Sequence, residues 1–284
     1  MSIPTPDPRS LPPDPRLPSP SLYSQDVCVA ALTSLYESLP HIASSDIRYP
    51  PAEGWPEITQ ASLQAVGLRK TDQVVELLRH LPYINGQFPW VAPDAYVVDY
   101  RKAVTERGTY PFRPLELSKA LTGPPGEGNL VKPWVVEITS GFDAYGCSYL
   151  LDTMDGTVTR FVPTGCGSDE PHGLYGEDDP RNWRDSDHCD DRTRSVEEFV
   201  QMCKEKYRSL EWLGLPKQPK QPGVLFYSED YRGEECRGLR RIYTEHGWPD
   251  EYRGEECRAE VERFLEEERR RRTAKVLAQL ASQQ

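Results

Sequence analysis

Between Trp134 and Val162 the chain is restricted to very few architectures. Trp134-Val135-Val136-Glu137-Ile138-Thr139 is dense in β-branched residues, and the runs Tyr145 to Thr153 and Thr157 to Val162 have the same character. Such side chains suit a pleated, half-buried surface better than a helix, where χ1 is crowded by the preceding turn. Asp155-Gly156 separates the last two runs and is a pair that readily supplies the positive φ angles of a tight hairpin. Strands this close together pair with their neighbours as an antiparallel meander. The expected fold class is therefore α+β: an antiparallel β-meander sheet flanked by helices.

The flanking helices are legible from apolar spacing. Val27, Cys28, Ala31, Leu32, Leu35, Tyr36 and Leu39 recur at three- and four-residue steps, predicting a helix over Gln25 to Leu39 with Ser24 as its cap and Pro40 as its stop. A second helix is predicted near Thr71 to Leu81, with Val74, Val75, Leu77, Leu78 and Leu81 turned inward. Ser195-Val196-Glu197-Glu198 has capping-box spacing and opens a third, buried through Val196, Phe199, Val200, Cys203, Tyr207 and Leu210. Trp90 and the run Tyr96 to Tyr100 suggest one strand, and Gly123-Pro124-Pro125-Gly126 a loop.

Outside these elements the composition shifts. Residues 1–22 are proline-rich and predict a disordered tail, since proline removes backbone donors and fixes φ. Within it, Pro12-Pro13-Asp14-Pro15 has the spacing of a ligand for an SH3- or WW-type groove, the alternative being a plain leader. Residues 23–215 are expected to form the α+β core domain, 216–223 a linker and 224–284 a C-terminal helical region. There Tyr231 to Arg237 recurs letter for letter as Tyr252 to Arg258, with His246-Gly247-Trp248-Pro249 between the copies as a helix stop.

Charge narrows the function classes. A formal net charge of −11 repels phosphate backbones and anionic lipid, so neither nucleic acid nor a membrane is an expected partner. The run Arg269 to Arg272 follows Glu266 to Glu268, and on a helix these pair at one-turn spacing. No run approaches the roughly 20 apolar residues of a membrane span, and the first residues lack the apolar segment of a signal peptide. The expected compartment is cytoplasmic or nuclear. The seven cysteines, which include no Cys-x-x-Cys pair, then read as reduced thiols.

Four residues offer metal chemistry: Cys166, His172, His188 and Cys189 could together supply a tetrahedral zinc set, as a hydrolase centre or a stabilising site. Against that, neither a short Cys pair nor a short His pair is present, and His188 and Cys189 are adjacent; the plain reading is a solvated acidic loop over 164–194. Calcium fails, because Asp187 to Glu198 places Arg192 where an EF-hand loop requires glycine and Cys189 where it requires an oxygen ligand. Gly165-Cys166-Gly167 could present a thiol near His172 or His188, but no nucleophile elbow, P-loop or dinucleotide fingerprint accompanies it. No cofactor and no catalytic residue is called for. Trp90 and Trp183 fall in irregular segments, where an exposed tryptophan would anchor a protein partner.

The chain also resembles the SUKH superfamily, which includes fungal regulators of cell-wall synthesis and bacterial toxin-immunity proteins. The likeness lies in the early helix, Leu81-Pro82 with Asn85-Gly86, Glu137 to Gly146, and Leu150-Leu151-Asp152-Thr153 followed by Asp155-Gly156-Thr157-Val158. It spans about residues 25–215, with a long insertion from Gln87 to Gly128. The resemblance implies an antiparallel sheet flanked by helices and a non-catalytic role in binding protein, with no active-site residues to transfer. The functional expectation is a non-catalytic protein-interaction or scaffold protein whose partner is another protein; a zinc hydrolase or zinc-stabilised domain is the alternative.

Overall fold

The computed structural model describes residues 3–86, 89–106, 131–141, 146–163, 165, 173–189, 192–216 and 233–281. Seven helices are described: α1 (Gln25–Ser38), α2 (Gln60–Ala65), α3 (Asp72–His80), α4 (Tyr100–Thr105), α5 (Val196–Arg208), α6 (Glu234–Glu245) and α7 (Gly254–Ala281). The strands β1 (Ile47–Arg48) and β2 (Tyr83–Ile84) form a small pair. The strands β3 (Trp90–Ala92), β4 (Ala95–Val97), β5 (Val135–Ser140), β6 (Ser148–Asp152), β7 (Thr157–Phe161) and β8 (Arg194–Ser195) form one sheet in that order. Every pairing is antiparallel, so the molecule is α+β with a sequential meander at its centre.

Local chemistry accounts for the boundaries. Ser24 accepts a hydrogen bond from the Val27 amide and caps α1, and Thr71 does the same for Val74 in α3. At α5 the capping box is complete: Ser195 Oγ accepts from the Glu198 amide at 3.2 Å, and Glu198 Oε2 accepts from the Ser195 amide at 3.1 Å. The β6–β7 turn departs from a two-residue hairpin. Gly156 alone takes a positive φ (75°), while the Asp155 carboxylate accepts from the Thr157 amide and hydroxyl. The strand predicted around Trp90 to Tyr100 splits into β3 and β4, and Tyr100 opens α4. Val27, predicted inside, is exposed.

The main core lies between the sheet and helices α1, α3 and α5; Tyr149 on β6 meets Phe199 on α5 at 4.7 Å between ring centres. A second cluster joins Trp90 and Tyr96 to Leu239, Ile242 and Tyr243 of α6 and to Cys257, Val261 and Leu265 of α7. The C-terminal helices are thus folded back on the β3–β4 end of the sheet. The heptapeptide repeat has a structural meaning: each copy brings the chain into the start of a helix and buries its cysteine, Cys236 or Cys257, in this same cluster. Tyr231, Arg232 and most of the predicted linker lie outside the described residues, as does the Gly123–Gly126 loop.

The proline-rich leader departs from its prediction. Instead of a free tail, residues 12–21 run over the β6–β7 turn and the segment 175–185, fastened by side-chain hydrogen bonds and ion pairs. Among the described residues no helix is long and apolar enough to cross a membrane.

Candidate functional site

Three regions hold side-chain arrangements beyond what packing alone requires. The most heavily charged is centred on Arg184, in a short 3-10 turn (Asn182–Asp185). Its guanidinium is wholly buried and reaches Asp14 Oδ2 at 2.6 Å, Asp152 Oδ2 at 2.8 Å, Asp155 Oδ2 at 2.9 Å and Thr157 Oγ1 at 2.9 Å. Tyr175 donates its hydroxyl to Asp14 Oδ1 at 2.6 Å, and Arg181 Nη2 donates to the Pro12 carbonyl at 3.1 Å. Arg16 donates to Asp185 Oδ1 at 3.0 Å, and the Tyr175 amide donates to the other oxygen of Asp185 at 2.9 Å.

Electrostatics follow from that crowding. Burial, and then the neighbouring Asp155 carboxylate, push the Asp152 carboxyl up to about 7. Burial opposes the charge on Arg184, yet Asp155, Asp152 and Asp14 together hold its pKa above the ordinary arginine value. Burial and the bond to Asp14 push the Tyr175 hydroxyl upward. Arg184 therefore stays a cation and Tyr175 a neutral donor, so both present hydrogens to the Asp14 carboxylate.

A second region is a groove of about 730 Å³ beside Leu39, Pro40, Tyr49, Arg208, Trp248 and Tyr252. Its floor is the junction between the core and the C-terminal helices. Tyr252 donates to the Pro40 carbonyl at 2.8 Å, and the Trp248 indole donates to the Tyr207 carbonyl at 3.0 Å. Beside it His41 is buried, with Nε2 at 2.9 Å from the Trp90 carbonyl and its ring stacked on Tyr207. Burial pulls its pKa down to about 4, so the ring is neutral at physiological pH.

The third region is the end of α7. After Leu265 the helix leaves the cluster it shares with α6, and every residue from Arg269 to Ala281 is exposed. Val276, Leu277 and Leu280 are 53%, 60% and 55% exposed, on one face by their three- and four-residue spacing. The glutamates and arginines before them pair as predicted: Glu266 with Arg269 and Arg270, and Glu268 with Arg271. Arg272 reaches across to Glu235 of α6.

The residues singled out from the sequence are scattered across this picture. Cys166 and His172 lie outside the described residues. Cys189 is buried, with Sγ at 3.5 Å from the Trp183 carbonyl, and His188 lies beside the Phe161 ring with Nδ1 at 3.3 Å from the Val162 carbonyl. Among the described residues no three His, Cys, Asp or Glu side chains are grouped as metal ligands. Both tryptophans offered as partner anchors are inside the protein: Trp90 on β3 meets Tyr96 edge to face, and Trp183 packs with Phe161, Leu150 and Cys189. Each is a core anchor, Trp90 covered by α6 and α7 and Trp183 by residues 131–135 and 189, and neither presents an indole face to a partner. Reasoning from sequence missed the Arg184 cluster: Asp152 and Asp155 stood out as charges beside a predicted core strand, but Arg181 and Arg184 fell in the stretch read as a solvated acidic loop. Comparison with protein-family models, with curated proteins and with solved structures finds no match to this chain.

Proposed function

We propose that the chain is a non-catalytic, intracellular protein-interaction module that uses the free end of α7 as its contact surface. One observation carries this reading: Val276, Leu277 and Leu280 form an apolar face on a helix that has left its own core. An amphipathic helix in this position can lay its apolar face in a partner's groove or against a partner helix, and the preceding Glu and Arg residues keep the approach soluble. The resemblance to the SUKH superfamily supports the same role. The net charge of −11 favours a protein partner over nucleic acid or lipid.

The test compares the full chain with a Leu277→Glu/Leu280→Glu variant as baits in cell extract at physiological salt. Because both side chains are exposed, the variant should melt within about 0.5 kcal/mol of the parent. It should nevertheless lose the proteins that the parent retains. Retention of the same proteins by both baits, or no specific retention by the parent, would remove the basis for the reading.

A further inference from the structure

The docked leader contains Pro13-Asp14-Pro15-Arg16, and the same four letters stand seven residues earlier as Pro6-Asp7-Pro8-Arg9. The two copies adopt different states. In the first, Asp7 and Arg9 pair with each other: the carboxylate accepts from the Arg9 amide at 3.0 Å and from Nε and Nη2 at 2.9 Å, and the side chains are 50% and 77% exposed. Asp179-Pro180-Arg181 closes on itself in the same way, at 2.8 Å to the amide and 2.9 and 2.7 Å to the guanidinium. The closed Asp-Pro-Arg turn is thus seen twice, once exposed and once with its arginine also bonded to the Pro12 carbonyl.

The second copy is open. Asp14 still accepts from the Arg16 amide at 2.9 Å, but the two charged groups have separated. The carboxylate lies between Tyr175 and Arg184, while the guanidinium has crossed to Asp185 and lies 5.8 Å from the Tyr175 ring centre. Both side chains are now about one-twentieth exposed, at 5% and 6%. A buried arginine on one side and a carboxylate on the other read the motif's opposite charges separately, and Arg181 reads the backbone at Pro12. The Leu17 amide donates to the Asp14 carbonyl at 3.2 Å and closes a turn over Asp14–Leu17, and the prolines on either side of Asp14 restrict its alternatives, so the turn is held at low entropic cost.

We propose that Tyr175, Arg181, Arg184 and Asp185 form a peptide-binding site for a Pro-Asp-Pro-Arg turn, filled in this chain by its own residues 13–16. The site stands apart from α7 and holds whether or not that helix has a partner. It predicts an exchangeable ligand: the leader competes in cis with the same peptide offered in trans, and the aspartate is its principal determinant.

The experiment uses a fluorescent synthetic peptide of residues 10–18, a second peptide with Asp14→Asn, the full wild-type chain, and the full chain carrying Asp14→Ala and Arg16→Ala. The doubly substituted chain should bind the labelled peptide saturably, about tenfold or more tighter than the wild type, whose site is occupied. The asparagine peptide should bind about tenfold or more weaker, because a charge-assisted bond to a buried arginine is lost. No saturable binding by a normally melting variant, equal binding by both chains, or equal binding of both peptides would overturn the proposal. Should the variant melt abnormally, an otherwise wild-type chain with a protease site inserted between Pro18 and Ser19 decides instead. After cleavage, replacement of the released leader by labelled peptide supports the site. Permanent retention of the leader, or its release without uptake of peptide, refutes it.

Discussion

Gly214→Ala is the sharpest steric test of how the C-terminal helices are held to the core. The φ angle of Gly214 is not in the left-handed region, so alanine meets no backbone penalty there. The difficulty is space. A Cβ at this position would lie 1.8 Å from His41 Nδ1 and 2.4 Å from its Cε1 and Cγ, where ordinary contacts need about 3.5 Å. The imidazole would have to move by more than about 1.5 Å. That movement breaks the bond between Nε2 and the Trp90 carbonyl, at a cost of about 1–3 kcal/mol for buried groups left unpaired. It also disturbs the stacking on Tyr207, worth about 0.5–1.5 kcal/mol. The same residue's carbonyl accepts from Tyr243 of α6, so a backbone shift offers no relief. A loss of about 3 kcal/mol is expected in urea unfolding followed by circular dichroism. Because the clash is with one ring, His41→Ala should absorb it: the double variant should be about 2 kcal/mol more stable than additivity allows. A single variant within about 0.5 kcal/mol of the parent, or strict additivity in the double, would refute this account of the junction.

Four further outcomes follow from particular groups. The folded-state pKa of His41, near 4, lies below its unfolded value of about 6.5, so the unfolded chain takes up the proton first and stability falls as pH drops through that window. Between about pH 7 and about pH 5 the loss is about 2 kcal/mol, read as the difference between the parent and His41→Gln, because Asp152 titrates in the opposite sense. The raised Asp152 carboxyl contributes stability at low pH that is lost as pH rises through about 7; a carboxyl resonance with its midpoint near an ordinary aspartate value would contradict this. The six described cysteines are all buried and unbridged, and burial pushes the Cys28 thiol up to about 12; a chromogenic disulfide reagent should reach all six only after denaturation. Ser195→Ala removes one half of the α5 capping box and should cost about 1 kcal/mol in chemical denaturation.

Legibility from sequence was uneven for physical reasons. The meander was plain because β-branched density is a local signal, and the starts of α1, α3 and α5 because a cap is read within four residues. The split of β3 from β4 was not visible, since both are three residues long and Tyr100 is as good a strand residue as a helix opener. Trp90 and Trp183 looked exposed because irregular backbone was equated with surface; their burial depends on α6 and α7 covering one and residues 131–135 and 189 covering the other. The Arg184 cluster was hidden for a related reason. Its members come from the leader, the β6–β7 turn and the segment 175–185, and no window of sequence contains more than a part of it.

That assembly changes the meaning of the leader's composition. Proline density predicts that residues 1–22 do not fold, and Pro6 to Arg9 do form an exposed, self-paired turn. In the second copy the same stiffness has the opposite consequence. A turn whose φ angles proline already fixes loses little freedom on docking, so a few buried charge contacts suffice to hold it. Those contacts are crowded: Asp152 and Asp155 share one guanidinium with Asp14, and the Asp155 carboxylate disfavours the charge on Asp152. Withdrawing Asp14 would leave Arg184 paired with Asp152 and Asp155. The leader can therefore leave without stripping Arg184 of its counter-charges, as the exchange proposed for it requires.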